Sequence, residues 1–216
     1  MSAEPDTQQV SRPRRPLLFV VALSFAVIVG WGGVANGCNT VQFYRATTLA
    51  EPPLRAGADT KEQEEAAAFQ RALRPVHDGA RDRRLPLGVA NLLLSGLLVF
   101  AATRALGGRA GARELLTHAL VGNALAAVAD FALTASWRHE MARTVGTHFP
   151  RAALRGREGL TEAETTAMLG SAVSGIFVTA LLALLAIYGL ALFMLRSPAA
   201  RAYFQAVAEE TDEREE

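Results

Sequence analysis

Cysteine is almost missing from this chain of 216 residues. Cys38 stands alone, which excludes an internal disulfide and any two-thiol redox mechanism. Lysine is equally scarce, with Lys61 the only one among 22 basic residues. Together with abundant alanine, that bias predicts a GC-rich, bacterial source. Net charge is only +1, too little for a nucleic-acid footprint. A glycine-rich phosphate loop, a nucleophile elbow and paired intramembrane carboxylates are also lacking, so no cofactor and no enzymatic activity are expected.

The most telling absence is of charge from four long stretches, 17–36, 85–104, 115–137 and 168–195. At 1.5 Å rise per residue, each can cross a hydrocarbon layer about 30 Å thick. Within these blocks Asp130 is the one carboxylate. The sequence therefore predicts an all-α membrane protein: a four-transmembrane-helix bundle with a long first outer loop and helical extensions. The layout is a tail at 1–15, a transmembrane domain at 16–196 with outer loops 37–84 and 138–167, and a terminal segment at 197–216. The apolar core of the first span exceeds the 7–15 residues of a signal peptide, so it is read as a retained helix. Ala35, Asn36 and Gly37 make a poor lipoprotein cleavage box before Cys38. Four spans with a large outer loop resemble tetraspanins or claudins in outline, but the loop cysteines on which those folds depend are missing, and no family is identified.

Arginine placement sets orientation. Arg12, Arg14 and Arg15 precede the first span, Arg196 and Arg201 follow the fourth, and Arg109 and Arg113 lie in the link 105–114. These put both termini in the cytoplasm of a bacterial inner membrane. Arg81, Arg83 and Arg84, at the start of the second span, argue for the opposite orientation.

Local signals fill in the connections. Thr60-Lys61-Glu62-Gln63 fits a capping box leading into a helix over 64–73, with Pro52-Pro53 and Pro75 bounding that region. Thr161-Glu162-Ala163-Glu164 fits a second box, predicting a helix that starts near Glu162 and runs unbroken into the fourth span. Ser197 and Pro198 form a cap and first-turn proline before an amphipathic stretch (Ala199, Ala202, Tyr203, Ala206, Val207) placed at the inner membrane surface. An acidic tail follows.

Polar and small residues within the spans recur at helical spacing. Asn91, Asn123, Asp130 and Ser174 lie at similar depth below the predicted outer end, and a bare carboxylate at bilayer depth costs about 2.5–3.5 kcal/mol. Asp130 is therefore expected to face the bundle and bond Asn91 and Ser174, with water from the outer side as the alternative partner, as a polar clasp or as a proton- or ion-responsive group. Gly33 with Gly37, and Gly170 and Gly175 with their small neighbours, read as packing faces, Gly33 and Gly37 being the face for self-association. His139-Glu140 starts a zincin-like motif, but Arg143 replaces its second histidine. His77, His139 and His148 share the outer loops at no spacing that requires a metal, and none is expected.

The leading expectation is a non-enzymatic accessory or interaction subunit, in contact with the lipid bilayer and with a membrane-protein partner or a second copy. The alternative is an oligomeric transporter or channel component using Asp130 as its proton or ion group. A membrane enzyme acting on lipid ranks third.

Overall fold

A computed structural model describes residues 17–45, 60–109, 111–149 and 161–215. The predicted tail at 1–15 and Pro52-Pro53 lie outside these, as do the side chains of Thr60 and of the terminal acidic run from Glu210. Among the described residues there are seven helices and no strand: α1 (Leu17–Arg45), α2 (Thr60–Asp78), α3 (Arg81–Leu106), α4 (Ala112–Leu133), α5 (Ala135–His148), α6 (Glu162–Leu195) and α7 (Pro198–Glu215). Helices α1, α3, α4 and α6 are long and apolar enough to cross a membrane. They mark a multi-pass membrane protein whose apolar surface meets lipid. At 34 residues α6 is about 50 Å long, more than the hydrocarbon thickness, so it tilts or projects.

The helices outrun the lengths expected from hydropathy, for local reasons. The second span starts at Arg81 rather than 85, because a two-residue turn at Gly79 and Ala80 separates it from α2. Pro75 does not end α2, which continues to Asp78. Its missing N–H faces an exposed surface, and burial of Val76 and Ala80 on the other side favours the continued helix. The third span ends at Leu133, and the region from 138 to 148, expected as loop, is helix α5. Thr134 makes the break: its backbone sits at φ −99°, ψ 14°, and its Oγ1 and N–H both donate to the Asp130 carbonyl. Such back-bonding bends a helix.

The start of α6 matches its sequence signal. Thr161 Oγ1 accepts from the Glu164 N–H, and the Glu164 carboxylate accepts from the Thr161 N–H at 2.8 Å. Likewise Ser197 Oγ accepts from the Ala200 N–H at 3.3 Å and opens α7.

The long helices contact one another in the order α1, α3, α4, α6 and back to α1. One end of this group is closed. There Phe19 and Leu23 meet Leu98, Ala101 and Ala105 of α3, Leu116 and Leu120 of α4, and Tyr188 and Leu195 of α6. Helix α7 completes this core with Ala200, Tyr203, Phe204 and Val207, all buried. Phe19 stacks edge-on against Phe204 at 5.4 Å and tilted against Tyr203 at 5.8 Å. The turn from α3 to α4 passes beneath Tyr203 at Gly108 (φ +64°), where a Cβ would lie 2.7 Å from the tyrosine hydroxyl.

The α1–α3 contact is a seam of small residues. A Cβ at Gly30 would lie 2.7 Å from Val99 Cγ2, one at Gly33 would overlap the Ser95 hydroxyl, and one at Gly37 would press on the α3 backbone at Gly88 and Leu92. Without side chains here the two backbones approach closely, the usual basis of helix association in lipid. The Gly33 and Gly37 face is thus filled by α3 and is not open to a second copy.

Candidate functional site

Opposite the closed core lies a cavity of about 720 Å³ lined by residues of α1, α3, α4, α5 and α6. On α3 the residues Arg84, Gly88, Asn91 and Ser95 follow a spacing of four, three and four, which puts them on one helical face. On α4, Asn123 and Asp130 are seven apart and share a face in the same way. These two faces meet.

The deeper polar group is a three-helix clasp. Ser95 and Asn123, 1% and 3% exposed, are joined by the Ser95 hydroxyl, which lies 3.3 Å from both Asn123 Oδ1 and Asn91 Oδ1. The Asn91 amide donates to the Gly33 carbonyl of α1 at 3.1 Å. The Asn123 amide donates at 2.8 Å to Leu94 O on α3 and to Ala119 O on its own helix. Every amide group here has a partner, as buried polar groups in lipid must.

Asp130 stands apart from that clasp, nearer the open end. Its Oδ1 lies 3.8 Å from Arg84 Nη1, and the two side chains are 47% and 21% exposed. The Arg84 guanidinium also covers the Trp137 ring at 4.3 Å. Arg138, a second lining residue, lies 3.6 Å from the Phe131 ring centre and donates to Thr134 Oγ1 at 2.8 Å. The bend at Thr134 brings Trp137 and Arg138 round to this end. Two guanidiniums accompany one carboxylate, so the mouth carries a net positive charge.

Of the expected cluster, Asn91 and Asn123 share Ser95, whereas Asp130 pairs with Arg84. Ser174 is exposed and donates to Gly170 O at 3.0 Å, away from all three. Gly170 touches the Ala142 backbone of α5, but Gly175 faces open space. The missed packing position is Gly146 of α5, where a Cβ would lie 2.8 Å from Thr166 O of α6.

The three histidines do not converge. His139 and His148 are exposed on α5, and among the described residues no group of three metal-ligating side chains gathers. His77 of α2 sits between Phe43 at 4.9 Å and Trp137 at 6.2 Å, with Nδ1 buried and unpartnered. Burial and then the nearby Arg84 charge push its pKa below the usual 6.5, while Asp78 partly opposes them. A lowered folded-state pKa favours the neutral ring. Its stabilising effect is therefore complete above pH 6.5 and fades as the pH falls through the folded value. The melting temperature in detergent is expected to drop between pH 7.5 and 5, with a smaller drop for His77→Phe. An equal drop in both proteins would remove His77 as the cause.

Searches of family models, of curated proteins and of solved structures give no match to this chain.

Proposed function

We propose that this chain is a non-enzymatic accessory or interaction subunit of a bacterial inner-membrane assembly, its four spans forming a bundle with both termini in the cytoplasm. Arginines flanking the first and fourth spans support that orientation, which turns the cavity mouth outward. The near absence of lysine supports the bacterial source.

The observation that carries the reading is the exposure of α6, which touches α1, α4 and α5 yet leaves most of its apolar surface uncovered. Only 11% of its most apolar window is buried within the chain. Its exposed surface includes Ser171, Ser174, Gly175 and Thr179 as well as Ile176 and Leu182. Its serine hydroxyls bond their own helix backbone, and a small surface of this kind packs well against a neighbouring transmembrane helix.

Cross-linking tests this. With Cys38→Ser as background, a single cysteine at Gly175 is expected to give a protein–protein adduct in native membranes, and one at Leu94 none. The adduct mass tells a second copy from a different subunit. Absence of any adduct along 171–182 would overturn the proposal.

The cavity favours a second reading, a transporter or channel component. Asp130 would then act beside two arginines, a setting that repels cations. A purely cation-binding Asp130 fits this setting poorly.

A further inference from the structure

The geometry points to the cavity as a binding site for an anionic amphiphile, a singly charged carboxylate or phosphodiester head with an acyl chain. The head would lie at Arg84, Arg138 and Trp137, and the chain would run toward the closed core.

Three independent features carry this. The first is charge. Arg84 and Arg138 outnumber Asp130 at the mouth, and the Arg84–Asp130 approach of 3.8 Å is a loose pair rather than a short bidentate one. The second is hydrogen-bond demand. Arg84 Nε and Trp137 Nε1, on groups stacked at 4.3 Å, are closed to the cavity, but the outer guanidinium nitrogens of Arg84 meet Asp130 only at 3.8 Å. They keep donor capacity for an incoming oxygen acid. The third is shape. Below the mouth the lining is mainly apolar, including Leu87, Phe177, Leu181 and Leu184. From Phe177 to Tyr188 it extends about 16 Å along α6. The volume lies within the roughly 300–1,000 Å³ of small-ligand sites. A charged head near one end of the spans and a tail pointing to mid-membrane is also how an amphiphile sits in one leaflet.

The same geometry gives Asp130 a role. Its carboxylate occupies part of Arg84 in the empty site and competes with the incoming head. Removing that charge strengthens binding of an anion and weakens binding of a cation, so one substitution separates the two.

The full chain, carrying Trp31→Phe so that Trp137 is the sole indole, is reconstituted in phosphatidylcholine nanodiscs. Trp137 quenching is then titrated with bromine-labelled acyl chains on four heads: free carboxylate, its methyl ester, phosphatidylglycerol and phosphatidylcholine. Saturable quenching is expected from an anionic head and not from the ester or phosphatidylcholine. A response to the carboxylate alone identifies a free fatty acid, and a response to phosphatidylglycerol a membrane lipid. Arg84→Gln is expected to weaken binding at least tenfold, Arg138→Gln several-fold, and Asp130→Asn to tighten it several-fold. Equal quenching by all four heads, or weaker binding in Asp130→Asn, would overturn the inference. The result is independent of α6 cross-linking, so either proposal can fail alone.

Discussion

Gly37→Val is expected to give little or no stable protein. Any Cβ at this position would lie 2.8–2.9 Å from the Leu92 amide, the Gly88 carbonyl and the Leu92 Cα, all of them backbone atoms that cannot rotate away. Valine adds two methyl groups to that overlap, so α1 must separate from α3 along the seam they share. Overpacking at a flexible side chain costs about 1–3 kcal/mol, and a collision with backbone belongs at or above the top of that range. At about 2–4 °C per kcal/mol for a chain of this size, the midpoint of thermal unfolding in detergent should fall by roughly 6 °C or more. Gly32→Val is the control, because nothing lies within 4 Å of a Cβ at Gly32. Equal behaviour of the two variants would contradict the close α1–α3 approach. Gly33→Ala should also destabilise: the Ser95 hydroxyl can swing aside at the cost of its bonds, but the Ser95 Cβ, 2.8 Å from the added methyl, cannot.

Asn123→Leu is expected to be the most damaging change within α4. Leucine has similar bulk but removes two donated bonds at 2.8 Å and the acceptor for Ser95, leaving the Ser95 hydroxyl to Asn91 alone. Hydrogen bonds between membrane helices are worth about 0.6–2 kcal/mol each, so a loss near 2 kcal/mol is expected. A double-mutant cycle with Ser95→Ala should return a coupling of about 1 kcal/mol, since the two side chains share one bond. Additive effects would mean that the Ser95–Asn123 bond contributes nothing, leaving the Asn123 bond to Leu94 O as the polar tie between α3 and α4. By contrast, the exposed Ser174→Ala should leave stability unchanged.

The four apolar helices were legible in the sequence because exclusion of charge over some 20 residues is a strong signal. Their ends were not. Arginines at 81, 83 and 84 read as headgroup flanks, yet α3 begins at Arg81 and carries them as helix. Arg84 was consequently left out of the site, although its spacing to Gly88, Asn91 and Ser95 places all four on one face. Hydropathy ranks a residue by its polarity, and periodicity by its direction; only the second finds a cation aimed into a cavity. Asp130 and Asn123 were both singled out, but two residues seven apart on one helix are about 10 Å apart along its axis, too far for one cluster. That distance is why the carboxylate pairs with Arg84 while the amide bonds Ser95. The fourth span shows the opposite limit. Gly170 with Ser174, and Ser171 with Gly175, have the same four-residue spacing as Gly33 with Gly37, and sequence alone cannot say which face meets a neighbour within the chain. The region from 138 to 148 reads as loop because it is polar, yet Ala142 and Gly146 supply the small contacts that hold α5 against α6.

The docking of α7 beneath Phe19 ties the first span to a segment that follows the fourth. During synthesis, the first three spans emerge before Tyr203 and Phe204 are available to cover their closed end. Until then Phe19 and Leu23 have no lid, and the helices wait in the bilayer with that end unsealed. Docking of α7 is therefore itself a maturation step, and a chain truncated after Leu195 would present an unsealed aromatic surface to the cell's membrane proteases.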